Sequence, residues 1–137
     1  MQVETYLFFD GRCEEALEFY RNTLGAEIGA LMRFKENPAA GEDCPNPPGS
    51  EDKVMHAVLR IGDTTLMASD GLCAGQPRFQ GFSLSLAVQD EAEAERLFAA
   101  LGEGGQVQMP LAKTFWSPRF GIVADRFGVS WMISVAA

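Results

Sequence analysis

Chemistry in this chain has few side chains to draw on, because His56 is its one histidine among 137 residues. Imidazole titrates near neutrality, which makes His56 the candidate acid–base group; the competing reading is a structural histidine satisfied by backbone. A two-histidine metal site cannot arise within one chain, and a dimer would have to bring both copies of His56 to one ion. Cys13, Cys44 and Cys73 are odd in number, widely spaced and without a CxxC pair. That pattern suits reduced thiols in a cytoplasmic protein better than a disulfide framework or a zinc site. A helix N-terminus beginning near Cys13 would activate its thiol, but Glu14 and Glu15 follow directly and oppose this, so a small apolar filler is the simpler role. Asp70, ending "LMASD", reads as a base or as a turn cap. No Ser-His-Asp arrangement has sequence support, so acyl transfer is not proposed.

The last strand-like run, "VSWMISV", sets Ser130, Met132 and Ser134 on one face and Val129, Trp131, Ile133 and Val135 on the other. The all-apolar face belongs in a core, taking Trp131 with it, while the serine and methionine face is suited to line a ligand cavity. Trp116, in "FWSPRFG", is a candidate for the wall or the rim of that cavity. Arg60 shares strand parity with His56 and would pair with an anionic group on a ligand, whereas Arg126 lies in a turn. Ser69, Ser83 and Ser85 would give the cavity a mildly polar lining.

These residues need a scaffold. Hydrophobic content of 47% fits a globular protein with a substantial core, taken as a single domain over 1–137. A formal net charge of −8 argues against nucleic acid as a partner. No apolar run approaches the ~18–20 residues of a membrane span, and the N-terminus lacks a signal-peptide pattern. "VETYLFFD" predicts a strand. Cys13, Ala16, Leu17, Tyr20 and Leu24 recur at helical spacing, with Gly25 as the stop. "AEIGALMRF" predicts a strand, and "KVMHAVLRIGDTTLMAS" a hairpin turning at Gly62–Asp63. Residues 35–53 hold four of the seven prolines and read as an exposed, flexible loop, a lid or a tolerated insertion.

The second half repeats this order. "GFSLSLAVQ" predicts a strand and "DEAEAERLFAALG" an amphipathic helix with Asp90 as N-cap, Glu93 three residues on, and Gly102 at its end. A strand with an edge or bulge at Pro110 follows, then a closing hairpin. Both halves therefore read β-α-β-β-β, over 1–75 and 80–137, and the fold class is α+β: two such repeats with curved mixed sheets around a cavity and helices outside.

The stretches "YLFFDGRCEEALEFYRNTLG", "HAVLRIGDTTLMASD", "GFSLSLAVQD" and "TFWSPRFGIVADRFGVSWMI" resemble the vicinal oxygen chelate superfamily of glyoxalase I, bleomycin-resistance proteins and extradiol dioxygenases. The local motifs are similar to its PhnB-like branch, labelled demethylubiquinone methyltransferase-like. The resemblance implies a homodimer and a site in the inter-repeat cavity. It sets Thr5, Met67, Ser83 and Met132 where metal-dependent relatives carry four His and Glu ligands, with Ser69 the same-face alternative to Met67. Two hydroxyls and two thioethers do not suit a hard divalent ion, so no metal and no cofactor are expected. The "GEGG" cluster at 102–105 follows a helix and leads into a strand, the reverse of a nucleotide-binding turn, which argues against methyl transfer. The function expected is binding or metal-free conversion of a small, largely apolar molecule. Two alternatives stand beside it: a metal-dependent glyoxalase-type lyase or isomerase or a dioxygenase, and a non-catalytic sequestering protein of resistance type.

Overall fold

Alternation of apolar residues decides where each strand begins and which side it buries. A computed structural model of the chain describes residues 1–41, 45–71 and 77–136. Cys44 and Cys73 lie outside the described residues. Two compact units, Met1–Pro77 and Arg78–Ala137, each hold one helix and one four-stranded sheet.

In the first unit, β1 (Tyr6–Phe8), α1 (Cys13–Leu24), β2 (Glu27–Arg33), β3 (Val54–Ile61) and β4 (Thr64–Ser69) follow in chain order. The sheet order is β1-β4-β3-β2, with β1 parallel to β4 and the other pairs antiparallel. Leu7, Phe9, Ala57, Leu59, Leu66 and Ala68 are all 5% exposed or less and form one sheet face. That face meets the buried stripe of α1, namely Cys13, Ala16, Leu17 and Tyr20. Gly25 ends the helix at φ +68, a left-handed backbone that an L side chain resists, and its N–H bonds to the Arg21 carbonyl. At the start of the predicted loop at 35–53, Phe34–Glu36 form a single 3₁₀ turn. Both sides of the loop are tied together there, Phe34 N donating to the Lys53 carbonyl and Asn46 Nδ2 to the Phe34 carbonyl.

The second unit repeats the plan with β5 (Leu84–Val88), α2 (Glu91–Gly102), β6 (Gln106–Ala112), β7 (Phe120–Ala124) and β8 (Ser130–Val135) in the order β5-β8-β7-β6. Asp90 caps α2 by accepting from Glu93 N at 2.8 Å. Trp131, Ile133 and Val135 are buried, whereas Ser130, Met132 and Ser134 are half-buried, as the alternation predicts. Pro110 falls in β6, the edge strand, where register shifts flank Met109. Gly102 is the last residue of α2, and the positive φ of the following turn falls on Gly104 at +77. Gly105 has a separate reason: a Cβ there would stand 2.1 Å from the Ala124 carbonyl oxygen. The glycine cluster serves the helix-to-strand turn.

Candidate functional site

In each sheet the face turned away from its helix carries the polar chemistry. In the first sheet that face presents Tyr6 and Phe8 from β1, Met67 and Ser69 from β4, His56 and Val58 from β3, and Met32 from β2, by register and alternation. Tyr6 Oη and His56 Nδ1 stand 2.9 Å apart, a hydrogen bond whose donor depends on the imidazole tautomer. The pair joins β1 to β3 across the whole width of β4. Tyr6 also stacks on Phe8, ring centres 4.9 Å apart, which holds the phenol in place. Phe8 is 53% exposed and Met32 38%, while Tyr6, His56 and Met67 are half-buried. One polar pair therefore sits among aromatic and thioether groups.

Asp70 organises the backbone beneath this face. It is 2% exposed, and its Oδ1 accepts from Gly11 N at 2.5 Å and Cys13 N at 2.9 Å while Oδ2 accepts from Val54 N at 2.8 Å. The carboxylate caps α1 from another strand, since Arg12 at the N-cap position supplies no side-chain cap. Of the two sequence readings, base or cap, the geometry gives the cap. Burial, with Asp70 and then Glu14 adding to it, pushes the Cys13 thiol far up, so Cys13 is not a nucleophile. Near the far end of β2, Arg33 clamps Glu14 through contacts of 2.7 and 3.1 Å. The hydrogen bond from this guanidinium, reinforced by its charge, holds the Glu14 carboxyl below its ordinary value despite partial burial. Lys35 does the same for Asp52.

On the second sheet the corresponding face carries Ser83, Ser85, Ile122, Met109, Ser130, Met132 and Ser134. Ser83 Oγ lies 2.7 Å from Ser130 Oγ, which donates to Gln108 Oε1 at 3.1 Å. Asp125, 3% exposed, accepts from Phe127 N, Val129 N and Trp131 Nε1 at 2.9, 3.0 and 2.9 Å, fixing the turn before β8.

Sequence-derived candidates divide accordingly. His56, Met67 and Ser69 share the first face, and Ser69 Oγ accepts from Gly71 N at 3.0 Å. Thr5 precedes β1, and its carbonyl accepts from Met67 N at 2.9 Å. Alternation sets Thr5 in phase with the buried Leu7 and Phe9, so Tyr6 takes the place beside Met67 on the open face. Arg60 has the parity of His56 but stands at the strand end, paired with Glu27 at 2.7 Å, the two side chains 56% and 71% exposed. Ser83 and Met132 belong to the second face. Trp116 is 49% exposed at the Thr114–Ser117 turn, edge-on to Phe115 and Phe120.

Tyr6, Phe8, Met32 and Gln108 were not singled out from the sequence. The signal for the first two was present, since Leu7 and Phe9 take the core side of "TYLFFD" and leave Tyr6 and Phe8 for the other. Among the described residues no three of His, Cys, Asp and Glu group where they could hold a metal ion. Among the same residues no helix is long and apolar enough to cross a membrane.

Comparison with known proteins agrees with this fold. The family model described as 3-demethylubiquinone-9 3-methyltransferase matches residues 1–134. Protein YjdN of Escherichia coli K12 is 38% identical over 140 residues, covering 98% of this chain and 95% of that protein. The crystal structure of protein PA1353 from Pseudomonas aeruginosa is 44% identical with a TM-score of 0.85, covering 99% of this chain and 98% of that one. A PhnB protein from Bacillus cereus, 29% identical, gives 0.81 over 99% and 100%. At 14% identity, a glyoxalase/bleomycin-resistance/dioxygenase domain from Frankia still gives 0.66 over 100% and 98%, a likeness of fold alone.

Proposed function

The chain belongs to the PhnB-like 3-demethylubiquinone-9 3-methyltransferase family, of glyoxalase/bleomycin-resistance fold, and from that premise we propose that it binds a small, largely apolar molecule on the first sheet's open face and exchanges a proton with it through His56. The observation that carries the reading is the 2.9 Å Tyr6–His56 hydrogen bond set among Phe8, Met32 and Met67. Apolar walls with one convergent polar group are the usual makeup of a small-molecule site. Tyr6 acts by position. When its hydroxyl donates to Nδ1, the neutral imidazole carries its hydrogen on Nε2 and offers the ligand a hydrogen bond. When Nδ1–H donates to Tyr6, Nε2 is the base that takes a proton, and the imidazolium so formed is the acid that returns it.

The reading is metal-free. The positions that the superfamily resemblance assigns to metal ligands carry Thr5, Met67, Ser83 and Met132, with Tyr6 in place of Thr5 on the open face, and neutral hydroxyls and thioethers neither balance a divalent charge nor replace its water. Methyl transfer, named in the family's description, is not carried over, because the one glycine cluster is accounted for by the α2–β6 turn.

The test uses 2-naphthol, an apolar photoacid whose excited state hands its proton to a neighbouring base. We expect wild type to raise naphtholate-band emission, with amide shifts at Tyr6, Met32 and Met67. His56→Gln should bind the probe and lose that emission, and Tyr6→Phe should weaken it. Emission unchanged in His56→Gln would overturn proton exchange, and one tightly held transition-metal ion per purified chain would overturn the metal-free reading.

A further inference from the structure

We propose that the open face of the second sheet holds a receptor for a ligand carboxylate, made by the side-chain amide of Gln108 and aimed by the Ser83–Ser130 pair. A hydroxyl has one hydrogen to give. Ser130 gives its hydrogen to Gln108 Oε1, so the 2.7 Å contact between the serines is Ser83 donating to Ser130. The hydrogen-bond chain thus runs one way, from the residue before β5 through β8 to β6, and it fixes the carbonyl end of Gln108. The NH₂ end brings two further donors on an exposed residue.

Register explains how the chain crosses the sheet. Ser130 on β8 lies opposite Ala124 on β7, and β6 is the strand beyond. Only a methyl group stands in the path, so the Gln108 side chain reaches over β7 to Ser130. The register shift between Val107 and Met109 belongs to the same device, because a bulge re-aims the side chains beside it. Ile122, Met132 and Met109 lie on this face next to the amide and offer contact for an apolar body. Arg126, in the turn after β7, donates its Nε to the Glu103 carbonyl, and Arg119, at the other end of β7, bonds Glu95. Recognition here therefore falls to a neutral, oriented dipole. The glutamine NH₂ only donates and an ionised carboxylate only accepts, and a hydrogen bond to a charged acceptor is stronger than one to a neutral group, so a carboxylate oxygen is the fitting partner for one of its hydrogens. Nothing in it rests on the reading of the Tyr6–His56 face.

Two probes of one shape and opposite head group test it: 2-naphthoate and 2-naphthylmethylammonium, titrated into the whole ¹⁵N-labelled protein. A net charge of −8 favours the cation at long range, so a preference for the anion requires local donors. We expect naphthoate to bind about tenfold or more tightly than the ammonium, and to shift the Gln108 side-chain NH₂ and the Ser83 and Ser130 amides. Gln108→Glu keeps the acceptor for Ser130 and sets a carboxylate oxygen in place of the NH₂; it should weaken naphthoate about tenfold or more while leaving the spectrum otherwise folded. Gln108→Leu should lose the same preference. Equal naphthoate affinity in Gln108→Glu, preference for the ammonium, or no shift at millimolar naphthoate would each overturn the proposal. Shifts confined to Tyr6 and His56 would overturn it too, while leaving the first-face reading intact.

Discussion

Replacing Asp70 removes one buried carboxylate that holds three backbone segments. Its oxygens accept from Gly11, Cys13 and Val54, so the β1–α1 turn, the first turn of α1 and the start of β3 converge on it. In Asp70→Ala the Cys13 and Val54 amides become buried donors without partners, at about 1–3 kcal/mol each, while the part-buried Gly11 amide can take up water. Adding the lost favourable charge at the N-terminus of α1, about 0.5 kcal/mol, gives a total of about 2.5–6.5 kcal/mol. Asp70→Asn separates the terms. Its carbonyl oxygen can keep the Gly11 and Cys13 bonds, but its NH₂ then faces the Val54 N–H, donor against donor, for about 2 kcal/mol. Urea denaturation followed by tryptophan fluorescence measures both, with unchanged m-values showing that the states compared are the same. An alanine variant within about 1 kcal/mol of wild type, or an asparagine variant costlier than alanine, would refute the reasoning.

Gly121→Ala places a Cβ 2.8 Å from the Phe98 ring and 3.0 Å from the Met109 carbonyl oxygen, so it should cost about 1–3 kcal/mol by overpacking. Gly29→Ala, whose nearest atom would be 3.6 Å away, should stay within about 0.5 kcal/mol in the same denaturation assay, and equal costs would contradict the packing argument. The Glu14–Arg33 pair gives a pH dependence of definite sign. Glu14 is depressed in the folded chain, so the stabilisation is full above its ordinary value of 4.5 and is lost as pH falls through the lower folded value. A carboxyl ¹³C titration should place the Glu14 midpoint below 4.5 and return it towards 4.5 in Arg33→Gln; a midpoint at or above 4.5 in wild type would contradict the pairing.

Local rules made the elements and their buried sides legible in the residues. Periodicity of 3.6 gave α1 its Ala16, Leu17 and Tyr20 stripe, Asp90 marked the start of α2, and alternation separated Trp131 from Met132. The order β-α-β-β-β in each half follows from those local signals, while the resemblance to the PhnB-like family rests on the four motif stretches themselves. Which polar side chains meet was decided elsewhere. Tyr6 and His56 are fifty positions apart and come together because β4 inserts between β1 and β3. Gln108 reaches Ser130 because the residue opposite that serine, on the intervening strand, is an alanine. Asp70 reads from its sequence as a base or a turn cap, and the three backbone amides that converge on it decide for a cap. Local sequence sets each residue's face through short-range sterics and burial; strand order and register set its neighbours, and those depend on the whole sheet forming at once.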